Sequence, residues 1–395
     1  MVRLGDVFER QITGEWGSEC LETETGTNIL RTTNFTSDGV INYNNVVVRS
    51  IEKSKVESKR LHYGDIILEK SGGTDKTPVG RVVFCDPYIE TGTYLCNNFT
   101  QAMRVNPSMA VPKYVFYFMW NLHWSGKTEL MQNKTTGIRN LQVKSYLNQT
   151  LPLPSLDKQR RIAATLDKVT ALISKRRQQL DKLDELVKAR FVEMFGDPDE
   201  NPKHWQEDEL SHHLKIIGGY AFKSDRFTDE GIPILRIGNI NSGHFLPVNM
   251  VYWPDDSALA RYKVFPGDLV MSLTGTVGKD DYGNVCILGG DYDEYYLNQR
   301  NAKLSIATAL NKCYFSELLK CPRIKKRLTG INRGIRQANI SNKDILTLRV
   351  PIPPIELQEQ FADFVEQIEE VKTTISRSLE KLETLKKALM QEYFG

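Results

Sequence analysis

None of the six cysteines, at positions 20, 85, 96, 286, 313 and 321, forms a C-x-x-C pair, and the six histidines show no zinc-ligand spacing. That excludes a zinc knuckle and gives no disulfide framework. Unpaired cysteines and no leader-like stretch point to the cytoplasm. Long apolar runs are missing too: the most apolar stretch, residues 114–120 (YVFYFMW), is about seven residues where a membrane span needs roughly twenty, so it is expected in a core and no membrane contact is expected. Charge of one sign is not in excess. With 52 Lys and Arg against 49 Asp and Glu the net charge is +3, which rules out a histone-like tail and confines any nucleic-acid contact to local basic surfaces.

Catalytic constellations are absent as well. Gly126-Lys127-Thr128 resembles the end of a phosphate loop, but position 121 is Asn where the first glycine is required. Pro198-Asp199 and Pro254-Asp255 could open a metal-nuclease motif. Neither is followed within thirty residues by an acidic-x-Lys element, so the groups that would hold Mg²⁺ and activate water are lacking. An amino-methyltransferase needs an Asn/Asp-Pro-Pro-aromatic loop, and the nearest match, Asp86-Pro87-Tyr88, has no second proline. His212-His213 reads as a surface or core pair.

What the chain does have is a repeat. Residues 151–196 lie on 350–395 at a constant offset of 199, without a gap and with 13 of 46 positions identical, among them Pro152/Pro351, Pro154/Pro353, Gln159/Gln358, Leu183/Leu382 and Gly196/Gly395. A period of about 200 residues is too long for a solenoid and marks a duplicated module. The prolines force an extended segment. After them Ile162, Leu166, Val169, Ile173, Leu180, Leu183, Val187 and Met194 follow 4-3 spacing, with Arg176 and Arg190 in the remaining slots; this predicts a coiled-coil helix of about 35 residues, roughly 50 Å long, stopped at Gly196-Asp197-Pro198. Phe361, Val365, Ile368, Ile375, Leu379, Leu382 and Leu389 occupy the same slots in the second copy, with Lys372 and Lys386. Residues 157–190 carry ten Lys/Arg against five Asp/Glu, and residues 356–392 five against nine. Opposite rods attract and like rods repel, so an antiparallel pair within one chain is expected, with Ile162, Leu166, Val169, Leu180 and Leu183 facing Phe361, Val365, Ile368, Leu379 and Leu382.

The expected organisation is α+β: a head at 1–150, a long helix at 151–198, a second head at 199–349, and a final long helix at 350–395 that pairs with the first. The heads also correspond, with drifting offsets. Ile29-Leu30-Arg31-x-x-Asn34 matches Ile234-Leu235-Arg236-x-x-Asn239, Gly64-Asp65 matches Gly267-Asp268, and Gly137-Ile138-Arg139 matches Gly334-Ile335-Arg336. Thr77–Arg81 is set against Gly275–Lys279, which makes the first head's loop about five residues longer, and Asn98-x-x-Gln101 against Asn298-x-x-Asn301.

In these matched loops Arg, Lys, Asn, Gln and Thr sit between glycines. Arg presents paired donors to a guanine edge, Asn and Gln do so to adenine, and glycine lets backbone approach phosphate. The candidate DNA-binding residues of the first head are Arg31, Thr32, Asn34, Lys70, Thr74, Lys76, Asn98, Gln101, Lys134, Arg139 and Asn140. Those of the second are Arg236, Asn239, Thr274, Thr276, Lys279, Asn298, Arg300, Arg333, Arg336 and Gln337. Lys325-Lys326-Arg327 adds a basic surface that reads either as a phosphate contact or as a solvated helix face.

The whole chain resembles a type I restriction–modification specificity subunit. The resemblance rests on PLPSLDKQRRIAATLD and PIPPIELQEQFADFVE, the Met194-Phe195-Gly196-Asp197-Pro198 exit followed by Asn201-Pro202-Lys203-His204-Trp205, Leu235-Arg236-Ile237-Gly238-Asn239, and Gly219–Ser224 opening the second head. It implies two target recognition domains, each reading half of a bipartite double-stranded DNA site, and two central helices that fix the spacer. It further implies no catalysis and no cofactor on this chain. The helices would dock two modification subunits bringing S-adenosylmethionine and adenine methylation, and, where the system has one, a restriction subunit using ATP and Mg²⁺. A self-contained methyltransferase or nuclease and a protein–protein scaffold are the alternatives, the former opposed by the missing motifs.

Overall fold

The computed structural model describes residues 1–20, 26–74, 77–135, 137–241, 243–307, 309–330 and 337–395, and leaves aside the side chains of 134, 135 and 337. The chain forms two compact units: Met1–Gln178 with Ser376–Gly395, and Gln179–Ile375. Each unit takes in part of both long helices.

In the first unit, strands Phe8–Thr13, Thr100–Val105, Ile66–Glu69 and Val82–Phe84 form an antiparallel sheet in that order. A second sheet orders Val47–Arg49, Thr27–Leu30 and Tyr94–Cys96, the last two parallel. Strand Ile66–Glu69 is apolar without alternation because both of its faces are covered. Ile66 and Leu68 face a core built on helix Pro112–Trp124, whereas Ile67 faces the second sheet with Leu30, Ile41 and Cys96. The predicted YVFYFMW segment lies in that helix, with Tyr114, Val115, Phe116, Tyr117, Phe118 and Met119 buried.

The second unit repeats the plan. Leu214–Gly218, Asn301–Ile306, Leu269–Ser272 and Val285–Ile287 form the four-stranded sheet, and Tyr252–Trp253, Ile232–Leu235, Tyr295–Leu297 and Lys263–Val264 the other. Leu269 and Met271 face one core and Val270 the other, as in the first head.

The strand registers fix the correspondence of the heads more closely than sequence matching does. Leu68 pairs with Val82 and Met271 with Val285. Gly80 and Gly283 precede those strands, and their N–H groups donate to Glu69 O (3.0 Å) and Ser272 O (2.8 Å). Gly80-Arg81 therefore corresponds to Gly283-Asn284. The expected match of Thr77–Arg81 with Gly275–Lys279 is corrected by these bonds, and the two loops have equal length. The same logic moves a second match by one residue: Asn97, not Asn98, is the counterpart of Asn298, since Asn97 N donates to Leu30 O (2.9 Å) and Asn298 N to Leu235 O (3.3 Å).

The long helices run Leu156–Phe195 and Ile355–Phe394, each after the proline-rich extended segment. Gly196 (φ 82°) ends the first, and a Cβ there would meet Pro202 Cγ at 2.6 Å. Within each unit the helix segments run antiparallel. Arg177 bonds Glu383 in the first unit (2.8 Å). In the second, Asp184 meets Lys372 (2.9 Å) and Phe191 packs on Phe361 with ring centroids 5.6 Å apart. Ile162, Leu166, Val169, Phe361 and Ile368 are buried. Leu180, Leu183, Val365, Leu379 and Leu382 are half-buried. The charge asymmetry is thus realised at Arg177–Glu383 and inverted at Asp184–Lys372.

Candidate nucleic-acid interface

Four loops of the first head converge on one edge, joined through their backbones. The turn after strand Tyr94–Cys96 bonds the strand that leads into Arg31 (Asn97 N to Leu30 O), and its Phe99 carbonyl accepts Lys70 N (2.9 Å) and Ser71 N (3.1 Å). Ser71–Gly73 then pairs with Ile138–Leu141, which closes a hairpin with Gln132–Thr135. The loops predicted around Arg31, Lys70–Lys76, Asn98–Gln101 and Lys134–Asn140 are brought together in this way. In the second head Arg300 O accepts Leu273 N (2.8 Å), and Thr274–Thr276 pairs with Gln337–Asn339.

The predicted residues divide into those that brace the edge and those that face outward. Asn34 and Asn239 are 2% exposed. Their Oδ1 atoms accept the main-chain N–H of Arg31 (2.9 Å) and Arg236 (3.0 Å). Their Nδ2 groups donate to carbonyls of the same loop, Asn42 (2.9 Å) and Asn44 (3.2 Å) in one head, Leu246 (2.9 Å) and Val248 (3.0 Å) in the other. A buried amide with both ends bonded has nothing left for a base edge, so the expectation of base contact is corrected for both. Gln101 and Thr274, each 8% exposed, are turned toward the protein's own groups: Gln101 Nε2 donates to Gln11 Oε1 (3.2 Å) and Thr274 Oγ1 to Asn339 Oδ1 (2.8 Å).

Arg31 and Arg236 occupy equivalent half-buried positions. Arg31 Nη2 donates to Asn45 O (3.3 Å) and Arg236 Nη2 to Asn249 O. Both acceptors have left-handed backbone, φ 58° and 49°. Sequence reading missed these two asparagines, although Asn in a polar loop is the residue type that tolerates this conformation. Among the described residues no ion pair holds Arg31, Arg236 or Arg300. In the second head Arg236, Asn249, Asn298, Gln299 and Arg300 line an open pocket of about 440 Å³.

Thr32 is half-exposed, and its carbonyl accepts Arg81 Nη2 (3.3 Å). Arg81 is itself held by two bonds to the buried Glu69 (2.8 Å each), which push its pKa up, so it is a brace. Lys70 and Arg139 are half-buried, and Asn140 accepts from Ser71 Oγ. Thr74 is exposed and its hydroxyl bonds Thr77 Oγ1 (2.8 Å). Asn98, Lys279 and Arg300 are exposed, and Asn298 is half-buried with Oδ1 accepting Arg300 N (3.2 Å). Thr276 N and Oγ1 both donate to Asp281, lowering that carboxyl's pKa. Lys76, Arg333 and Arg336 lie outside the described residues, as do the side chains of Lys134 and Gln337.

The Lys325-Lys326-Arg327 surface is largely neutralised locally. Lys325 pairs with Asp280, and Arg327 lies 3.9 Å from Asp199. His212 and His213 both bond Asp208 (2.9 Å each), whose pKa is held at about 2, chiefly by the His212 bond. No cluster of metal-binding side chains occurs among the described residues.

The chain thus carries two like α/β heads, each with a braced polar loop edge. The sequence matches the family described as type I restriction modification DNA specificity domain over residues 1–184 and again over 202–387. The chain belongs to this family of specificity subunits, in which catalysis lies in partner subunits. It is 25% identical over 291 residues to the type I restriction enzyme MjaVIII specificity subunit of Methanocaldococcus jannaschii, covering 69% of this chain and 68% of that protein. It is 22% identical to the type I restriction enzyme EcoKI specificity subunit of Escherichia coli, over 86% of this chain and 75% of that one. The crystal structure of a type I restriction–modification S subunit from M. genitalium shares the fold, with a TM-score of 0.57 at 15% identity, covering 100% of this chain and 95% of that one.

Proposed function

We propose that each head reads one half of a bipartite double-stranded DNA site, through the loop edge that carries Arg31, Lys70, Thr74, Asn98, Arg139 and Asn140 in the first head. Arg236, Thr276, Lys279, Asn298 and Arg300 do so in the second, and Lys76, Lys134, Arg333, Arg336 and Gln337 are proposed with them from the sequence alone. One observation carries the reading: twice in one chain, an arginine with no carboxylate partner among the described residues stands on an asparagine-braced loop at an edge where the other polar loops meet. A base-reading arginine needs a fixed guanidinium to discriminate, and the brace supplies it.

The working domains are then 1–150 and 199–349 as readers, and 151–198 and 350–395 as the helical spacer. Forty residues of helix rise about 60 Å, roughly 18 base pairs at 3.4 Å per pair, which suits a split site. The helices also carry a repeated apolar feature. Leu172 and Val371 are equivalent under the 199-residue offset, as are Leu186 and Leu385, and all four are 45–47% exposed. Leu172 and Leu385 belong to the first unit, Leu186 and Val371 to the second, so each unit presents one such pair. Two equivalent apolar pairs suit two copies of one partner, the modification subunit, which brings S-adenosylmethionine; a restriction subunit would bring ATP and Mg²⁺. We place this assembly in the cytoplasm; no described helix is long and apolar enough to cross a membrane.

The test is to express the chain with its cognate modification subunit in a methylation-free host and to map modified adenines by single-molecule sequencing. A split motif with a fixed spacer, lost when either head is deleted, is the expected result. A soluble complex that leaves the genome unmodified would refute the reading.

A further inference from the structure

The turn at the centre of the loop edge has the same backbone bonding in both heads and carries different side chains at its tip. Asn97 and Asn298 begin it. Thr100 and Asn301, both 0% exposed, end it, and their N–H groups donate back to Asn97 O (3.0 Å) and Asn298 O (2.9 Å). Thr100 Oγ1 also donates to Asn97 O (2.9 Å), and Asn301 Nδ2 to Leu235 O (2.7 Å). The residue before the buried one is Phe99 in the first head and Arg300 in the second. Its carbonyl is tied to the adjoining loop in each head, by Lys70 N and Ser71 N or by Leu273 N. The backbone of the tip is thereby fixed while the side chain is left out. Phe99 is 45% exposed and, among the described residues, joins no buried cluster and no ring pair. Arg300 lines the pocket that also holds Arg236.

We propose that this tip is the position at which the two heads differ in base preference: Phe99 contacts the 5-methyl group of a thymine and Arg300 the O6/N7 edge of a guanine. The inference rests on the DNA-reading function proposed above and names one specificity-determining residue in each head. The chemistry is complementary. The thymine methyl is the one apolar feature of the major-groove edge and suits an exposed ring on a pinned backbone, whereas a guanidinium matches the two guanine acceptors. Lone exposed apolar side chains are common on proteins. Phe99 differs in occupying the register position of a pocket-lining arginine.

The test uses the full-length chain and synthetic duplexes carrying the split site found by methylation mapping, with binding followed by fluorescence anisotropy. Each thymine of the first half-site is replaced in turn by uracil, which lacks only the methyl group. One such replacement should weaken the native chain about fourfold, the worth of one buried methyl, and leave Phe99→Ala unaffected. Phe99→Leu, which keeps an apolar tip, should remain sensitive and guards against misfolding. Arg300→Phe should lose roughly 10- to 100-fold against the guanine-containing second half-site, with the first half-site unchanged. Indifference of the native chain to every uracil, or equal weakening of Phe99→Ala on all duplexes, would overturn the assignment while leaving bipartite reading intact. If the native chain bound no split site in preference to unrelated DNA, the underlying function would fall as well.

Discussion

Gln159 and Gln358, 199 positions apart, make the same two-ended connection. Each is fully buried. Gln159 Oε1 accepts the N–H of Val111 (2.9 Å) and its Nε2 donates to Pro154 O (2.8 Å). Gln358 Oε1 accepts the N–H of Asn311 (2.8 Å) and its Nε2 donates to Pro353 O (2.7 Å). Val111 and Asn311 cap the first turn of each head's buried helix, while Pro154 and Pro353 belong to the extended segments. One side chain therefore ties a long helix to its head through main-chain groups. Tyr114 and Tyr314 reinforce the joint, donating to Pro152 O (2.7 Å) and Pro351 O (2.9 Å).

Replacing either glutamine by leucine fills the space but strands a buried N–H and a carbonyl, and at Gln358 a second carbonyl, since its Nε2 also donates to Ala309 O (3.2 Å). Gln159→Leu and Gln358→Leu should each cost about 1–3 kcal/mol. The loss is read as a lower urea midpoint, and Gln358→Leu should lose at least as much as Gln159→Leu. A cost confined to one of them would mean that the two joints are not energetically equivalent.

Asn239→Ala and Arg236→Ala separate bracing from reading. Removing the Asn239 amide leaves the Arg236 N–H and two loop carbonyls short of partners, so the second unit should lose about 1–3 kcal/mol of stability. DNA affinity should fall without a change in which base is preferred. Arg236→Ala should leave stability nearly intact and relax the second half-site at one position, at a cost of about 1–3 kcal/mol in binding. Equal weakening by Arg236→Ala on every sequence would make that arginine a phosphate contact.

Lys386 gives the first unit a pH signature. It is 9% exposed, with its ammonium 4.2 Å above the Trp120 ring, and burial pushes its pKa below the usual lysine range. A lysine whose folded pKa lies below the unfolded value of about 10.5 binds protons less readily when folded, so its contribution becomes more favourable as pH rises between those two values. The Tm of the native chain, followed by tryptophan fluorescence, should therefore rise relative to that of Lys386→Met between pH 8 and pH 10. A difference that stayed flat would show that the ammonium is as well solvated in the fold as in water.

The repeat carried most of the legible information. A constant 199-residue offset, paired prolines and 4-3 spacing announced two like units and two long helices, because extended segments and helical seams are written in local periodicity. The loop edge was only half legible. Composition marked Arg31, Asn34, Arg236 and Asn239 alike as polar loop residues, yet the asparagines are buried braces and the arginines are what they hold. Hydrogen-bonding type does not reveal which partner a side chain meets, and that partner, Asn42 for Asn34 or Leu246 for Asn239, is set by loop closure several residues away. Register was illegible for the same reason. Gly80 corresponds to Gly283 through strand pairing, whereas the surrounding residues match better elsewhere.

The apolar pairs on the long helices predict how partners are counted. Leu172→Glu with Leu385→Glu places charge at the exposed pair of the first unit, and Leu186→Glu with Val371→Glu does the same in the second. All four side chains are about half exposed, so the fold should tolerate the changes. Each double variant should retain one modification subunit, against the two proposed for the native chain, and the quadruple variant none, as read by native mass spectrometry of the co-expressed complex. DNA binding by the isolated chain should be unchanged throughout. Retention of two subunits by the quadruple variant would place the docking surface elsewhere.

The helices themselves are open to a length test, and antiparallel pairing dictates where an insertion must go. Arg177 meets Glu383, so a heptad added after Gln178 is matched by one added near Leu379 on the opposing helix. Insertions at positions equivalent under the 199-residue repeat would instead fall at different levels of the pair and break its seam. A matched heptad keeps the seam in phase and adds about 10 Å, roughly three base pairs. The methylated motif should keep both half-sites and gain about that many unspecified bases between them. A changed half-site with the original spacer would show that the helices do not set the distance between the two readings.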